Sequence, residues 1–194
     1  MEKESTLTSD PVKALTQATA ALCSDLTRTS INRQFSGTTA VYGLRLGKKL
    51  YVANIGDSRC IVVRKGATGT LEVVALSYDH KPDSPGEKER ILKAGGRVMP
   101  LPGLPEEDRG PARVWLADVD VPGLAMSRSI GDDVSHKVGV IDVPEIIEYD
   151  ITANDMFCLW ASDGVWYALN LQAPFFHSRS IFPSKYYLIY SRFN

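Results

Sequence analysis

Three short acidic turns hold the residues best suited to chemistry: Gly56-Asp57-Ser58-Arg59, Gly131-Asp132-Asp133 and Ser162-Asp163-Gly164. Carboxylates set at the ends of separate strands, and converging on one edge, supply the oxygen donors that Mg²⁺ and Mn²⁺ prefer. Asp163 is the strongest candidate, because the apolar run Met156-Phe-Cys-Leu-Trp-Ala161 stops directly before it. A short apolar run bounded by turn residues reads as a buried strand. An acid at the end of such a strand has a rigid backbone behind it and a partly dry wall beside it. The same Asp-Gly pair also serves simply to turn the chain, and Asp57 taken alone reads as a turn residue bonding its own backbone.

The other polar candidates have plainer readings. Arg128 has the reach for a phosphate, but within Ser-Arg-Ser it reads as a buried ion-pair partner. Asp132 and Asp133 read as turn and cap residues, and His80, His136 and His177 as isolated polar groups. Cys60 and Cys158 lie in apolar runs and read as inert core thiols, while Trp115 and Trp166 read as packing residues.

The elements that must position these residues follow from periodicity. Asp10-Pro11 opens a helix as N-cap and first helical residue. Val12, Leu15, Ala18, Leu22 and Leu26 then form one apolar stripe up to about Thr29. After Ser36-Gly37, strands are predicted at Thr38–Leu46, Leu50–Ile55, Cys60–Val63 and Leu71–Leu76, and the short turns between them predict an antiparallel meander. A second helix is expected with Ser84 as N-cap, Pro85 at its first position, Glu87 completing a capping box and Gly95-Gly96 ending it. Residues 99–111 read as an exposed loop, Val114–Leu116 as a short strand, and Glu145–Ile151 as the strand feeding the 156–161 run.

At 194 residues, with 44% hydrophobic and 23% charged side chains, the chain is one soluble domain or most of one. A net charge of −1 gives no basic footprint for nucleic acid and no polybasic membrane patch. Three scattered cysteines without a Cys-x-x-Cys argue against a disulfide framework and for a reducing compartment. With no signal peptide and no apolar run of spanning length, the expectation is an intracellular protein, cytoplasmic or nuclear. From Asn170 onward the character changes: there is no Asp or Glu, and seven Phe and Tyr residues stand among Arg179, Lys185, Arg192 and His177. The reading is a partial domain over residues 1–169 followed by a poorly ordered tail over 170–194, with a membrane-surface or partner-binding role for the tail as the alternative.

Physics alone thus reaches an α+β domain with the donors of a divalent-metal hydrolase. Beyond it, successive blocks of the chain resemble the type-2C metal-dependent Ser/Thr protein phosphatases (the PPM-type family). The blocks are Ser36-Gly-Thr-Thr-Ala-Val41, Ala53-Asn-Ile-Gly-Asp-Ser-Arg59, Asp79-His-Lys-Pro82, Glu87–Ile91 with Ala94–Val98, Leu124–Asp132, Val143-Pro-Glu-Ile146 and Ala161-Ser-Asp-Gly-Val-Trp166. Their order and spacing fit from about residue 11 to 166. The resemblance implies a central antiparallel β-sandwich flanked by helices, with a flap over about residues 80–112 where substrate choice lies. It implies hydrolysis of phosphoserine and phosphothreonine in proteins by a water or hydroxide held between two Mg²⁺ or Mn²⁺ ions, without a phosphoenzyme. Two cations serve such chemistry by lowering the pKa of water and neutralising phosphoryl charge. It further implies that Asp163 is a metal ligand, that Asp57 helps hold a third, looser metal, and that the partners are phosphoprotein substrates met by a monomer.

Departures from the pattern are as informative. The family's Asp-Gly-His-Gly block has no counterpart, since Asp163-Gly164 is the only Asp-Gly pair, and the late Asp-Asn block is also missing. Tyr167 stands where the family usually has an acidic third-metal ligand. No residue is therefore assigned a catalytic role, and no substrate-binding residue is named. The expectation is a chain truncated at both ends, with residues after about 167 read from outside the family's frame and sheet edges left open. For the chain by itself, a catalytically inactive, phosphatase-like binding or regulatory module is the competing reading.

Overall fold

The computed structural model describes residues 7–169 and 189–193. Helix α1 (Pro11–Leu26) begins as its sequence dictates, with the Asp10 carboxylate accepting the Lys13 N–H at 3.0 Å. Its apolar stripe is only partly used: Leu15 and Thr19 are buried, whereas Val12 and Leu22 are exposed. A polar group anchors the contact: the Thr19 hydroxyl bonds the Leu15 carbonyl and the Tyr42 hydroxyl.

Two antiparallel sheets form the centre. Strands β2 (Ala40–Leu46), β3 (Lys49–Ile55) and β10 (Glu145–Asp150) make one, in the order β10-β3-β2. The other contains β4 (Arg59–Lys65), β5 (Leu71–Ala75), β11 (Asp155–Ala161) and β12 (Ile189–Arg192), in the order β12-β11-β4-β5. Between the two lie Leu50 and Val52 on one side and Cys60, Val62, Leu76 and Cys158 on the other, all nearly free of solvent. The cysteines are core residues here, as expected, and burial pushes the Cys60 thiol well above its usual range.

The predicted meander is corrected at one point. β2–β3 and β4–β5 are hairpins, but β3 and β4 do not pair, because the chain changes sheets at Gly56-Asp57-Ser58. That crossing needs Gly56, whose φ is +94° and where an added Cβ would lie 2.3 Å from the Thr39 methyl carbon. The same change of sheet recurs between β10 and β11, so each half of the sandwich receives one strand from each crossing.

A small third sheet consists of β6 (Arg97–Met99), β7 (Arg113–Trp115) and β8 (Pro122–Leu124), with helix α2 (Pro85–Lys93) beside it. The loop between β6 and β7 is largely exposed and holds one 3₁₀ turn, Glu106–Asp108. Trp115 packs as expected and donates its indole N–H to the Met99 carbonyl at 2.8 Å. The predicted capping box is absent. Ser84 makes no side-chain cap bond, and the Glu87 carboxylate, which would supply the other half of the box, is buried and spent on Arg90, Ser127 and Arg128. Two-residue strands β1 (Gly37–Thr38) and β9 (Ile130–Gly131) pair with each other, and the single turn α3 (Asp133–His136) follows. Helix α4 (Asp163–Leu169) leaves the end of β11. Among the described residues, no helix is long and apolar enough to cross a membrane.

Residues 170–188, the larger part of the expected tail, lie outside the described residues, and His177 is among them. Residues 189–192 form β12, an edge strand that periodicity did not foresee.

Candidate metal centre

Register brings two of the three acidic turns together. In the β11–β4 ladder Ala161 faces Arg59, so Asp163, two residues beyond one, and Asp57, two residues before the other, lie at the same end of the same sheet. The third turn joins that end through β1. The Thr39 and Ser58 hydroxyls are 2.8 Å apart, and Thr38 pairs with Ile130 just before Gly131-Asp132.

Asp163 is held by its neighbours rather than by contacts of its own. Val165 and Trp166 are buried against Ile61, Val63, Leu159 and Ala161, and the Trp166 indole donates to the Ala161 carbonyl at 2.7 Å. This clamps the first turn of α4 onto the strand end and fixes where Asp163 emerges. The residue is exposed, and among the described residues its carboxylate forms no ion pair.

Asp57 is the opposite case. Its side chain is only 10% exposed, and Lys81 Nζ lies 2.5 Å from Asp57 Oδ2. Next to it, Arg59 forks onto Asp79, donating from Nε at 2.6 Å and from Nη2 at 2.9 Å. The hydrogen bonds to Asp79 are the main reason the Arg59 guanidinium is held above its usual range. Lys81 also stands 3.9 Å from Asp79, so two acids and two bases neutralise one another at the sheet change. Charge-assisted bonds of this kind are the strong ones. Sequence reasoning missed both bases, although Lys81 sits in the quoted Asp79-His-Lys-Pro block; their partners are twenty or more residues away.

Behind this layer stands a second network. Glu87 accepts from Arg90 (2.7 and 2.8 Å), from Arg128 (2.8 Å) and from the Ser127 hydroxyl (2.5 Å). Burial pushes its carboxyl up, but these donors outweigh burial and hold it well below the usual carboxylate range. Arg128 is thus the mostly buried ion-pair partner that its sequence context suggested. His80 links the two layers. Its Nδ1 accepts the Gly56 N–H at 3.1 Å, and its backbone carbonyl accepts the Ser127 N–H at 2.9 Å. Burial, reinforced by the charge of Arg128, keeps His80 below its ordinary value of 6.5. Asp132 stands at the N-cap position of α3 in a left-handed conformation (φ 50°) without a side-chain cap bond, and Asp133 pairs with Arg33 at 3.0 Å.

A centre for two divalent cations needs several carboxylates facing one volume. Among the described residues no group of three or more His, Cys, Asp or Glu side chains is arranged to hold a metal ion. The residues here offer one open carboxylate, Asp163, and one already matched to an ammonium group, Asp57. By themselves they do not fit a two-cation site.

The family profile described as Protein phosphatase 2C matches residues 1–173. The chain is 42% identical over 159 residues to "Probable protein phosphatase 2C 12" of Oryza sativa subsp. japonica, a match covering 81% of this chain and 40% of that protein. It is 46% identical over 162 residues to "Probable protein phosphatase 2C 64" of the same organism, covering 82% of this chain and 37% of that one. A solved serine-threonine phosphatase 2C from Toxoplasma gondii shares the fold, with a TM-score of 0.72 over 81% of this chain and 51% of its own, at 23% identity. An α+β sandwich with this order of strands and blocks defines a PPM-type phosphatase domain. The chain belongs to the protein phosphatase 2C family, whose members are Mg²⁺- or Mn²⁺-dependent Ser/Thr phosphatases, and it spans about 40% of the length of the relatives it matches.

Proposed function

We propose that the chain forms the Asp163 side of a phosphatase that hydrolyses phosphoserine and phosphothreonine in proteins. The observation that carries this reading is the pairing of a rigidly clamped, open carboxylate at the end of β11 with family membership. Asp163 is the residue that would hold Mg²⁺ or Mn²⁺, and Asp57 would join it only on exchanging Lys81 for the cation. A cation held by Asp163 would make a bound water more acidic and offset charge at a phosphoryl group. The chain's own residues contribute the strand end that fixes Asp163 and the flap that stands on Glu87.

A second reading has its own support. Asp57 is already neutralised by Lys81, and Asp79 by Arg59, which suits a phosphatase-like module that binds phosphoprotein without turning it over. One experiment separates the two. The 194-residue chain, and a chimera extended at both ends with the flanking segments of the rice relative, are assayed with Mn²⁺ and a phosphothreonine peptide. The chimera is expected to hydrolyse the peptide and to lose that activity with Asp163→Asn. A folded chimera that binds the peptide without turnover, or whose turnover ignores Asp163→Asn, overturns the phosphatase reading.

A further inference from the structure

The sheet β12-β11-β4-β5 is completed by residues that lie beyond the family match, which ends at residue 173. The ladder is antiparallel and in register, with Phe157 facing Arg192, Cys158 facing Ser191, Leu159 facing Tyr190 and Trp160 facing Ile189. Past the strand, the Phe193 N–H donates to the Met156 carbonyl at 3.2 Å. Phe193 packs on the Leu50, Val52, Cys60, Val62, Leu76 and Cys158 cluster between the two sheets. The guanidinium of Arg45, on β2 of the opposite sheet, sits 5.8 Å from the centre of its ring, within the range of a cation–π contact. Five residues thus close one edge of a sheet and tie it to the other sheet.

What they cover would otherwise be hazardous. Natural edge strands are protected by charge, proline, bulges or brevity. The covered stretch Met156-Phe-Cys-Leu-Trp-Ala161 has neither charge nor proline, and its ladder with β4 is unbroken from Phe157 to Ala161. Two bare copies of such a strand are self-complementary about a two-fold axis and pair edge to edge.

We propose that residues 189–193 are a built-in edge strand, which occupies β11 in cis and thereby prevents two copies of the chain from pairing through their β11 strands. The strand does not depend on phosphatase chemistry, so the proposal stands or falls apart from the reading of Asp163.

The full chain carrying Ser191→Cys tests it, because position 191 is the Cα partner of Cys158. Cα atoms of antiparallel partners lie about 4.5–5.5 Å apart, within the range that a disulfide spans. Mild oxidation is expected to give a monomer in which peptide mapping joins Cys158 to position 191. Failure of that bond, or its formation with Cys23 or with a second copy instead, overturns the proposal. The same variant is then warmed in its oxidised and reduced forms and followed by light scattering. The reduced form, whose strand is free to leave, is expected to dimerise at about tenfold lower concentration than the locked form. Equal self-association of the two forms also overturns it.

Discussion

Glu87 and Asp163 are both acidic residues set near the start of a helix, and the molecule treats them in opposite ways. Glu87 is buried and receives hydrogen bonds from Arg90, Ser127 and Arg128. Asp163 is exposed, forms no ion pair among the described residues, and owes its position to Trp166 and the strand behind it. A carboxylate whose lone pairs are all claimed by the protein is part of the scaffold. One whose backbone is fixed while its oxygens stay open is available to a ligand. Asp57 lies between these extremes, mostly buried but matched by a single movable cation, Lys81.

The contrast predicts a graded set of effects. Glu87→Ala leaves Arg90 and Arg128 without their carboxylate, and breaking a buried pair in this way costs about 3–5 kcal/mol. Urea unfolding should show that loss, and retention of wild-type stability would remove Glu87 from the scaffold. Lys81→Met strands the Asp57 carboxylate, at an expected cost of about 1–3 kcal/mol in the same assay. If Asp57 can accept a cation, millimolar Mn²⁺ should return part of that loss in Lys81→Met and none in Lys81→Met/Asp57→Asn.

Acid should separate the two layers. His80 is held below its ordinary value of 6.5, so the folded state binds fewer protons there than the unfolded chain. Its contribution is present above about pH 6.5 and declines as pH falls through that value. Glu87 is held below its ordinary value of 4.5, so its contribution persists to about pH 4.5 and is lost only in stronger acid. A stability–pH curve should therefore fall in two stages; Glu87→Ala should remove the second and deepen the first, because the Glu87 charge partly offsets the lowering of His80. The smallest effect belongs to Asp163→Asn, an exposed position where a change within about 0.5 kcal/mol is expected. A large loss there would place Asp163 in the scaffold with Glu87.

Much of this contrast was legible in the sequence, for reasons that can be traced residue by residue. Local rules located α1 from Asp10-Pro11 and α2 from Ser84-Pro85, and the apolar run before Asp163 located β11. The family blocks supplied the sandwich. What escaped was non-local. Glu87 carries the signature of a capping box, but Ser127 and Arg128, some forty residues away, claim its oxygens. The meander failed at Gly56 because β3 finds its second partner in β10, about ninety residues later, instead of in β4. Lys81 meets Asp57 only because the chain returns from β5 to the sheet change, where the His80 N–H bonds the Gly56 carbonyl. Strand β12 lies outside both signals: it belongs to no family block, and its pairing depends on an edge that the sequence does not display.

The most direct test of the central claim is Mn²⁺ binding to the intact chain, read from loss of the free-ion electron paramagnetic resonance signal. A site with one open carboxylate should bind weakly, with Kd no tighter than about 10⁻³ M. Asp163→Asn should abolish that binding while leaving the unfolding curve in place. Undiminished binding in Asp163→Asn would contradict the account, because the cation would then be held by residues other than the open carboxylate at the end of β11.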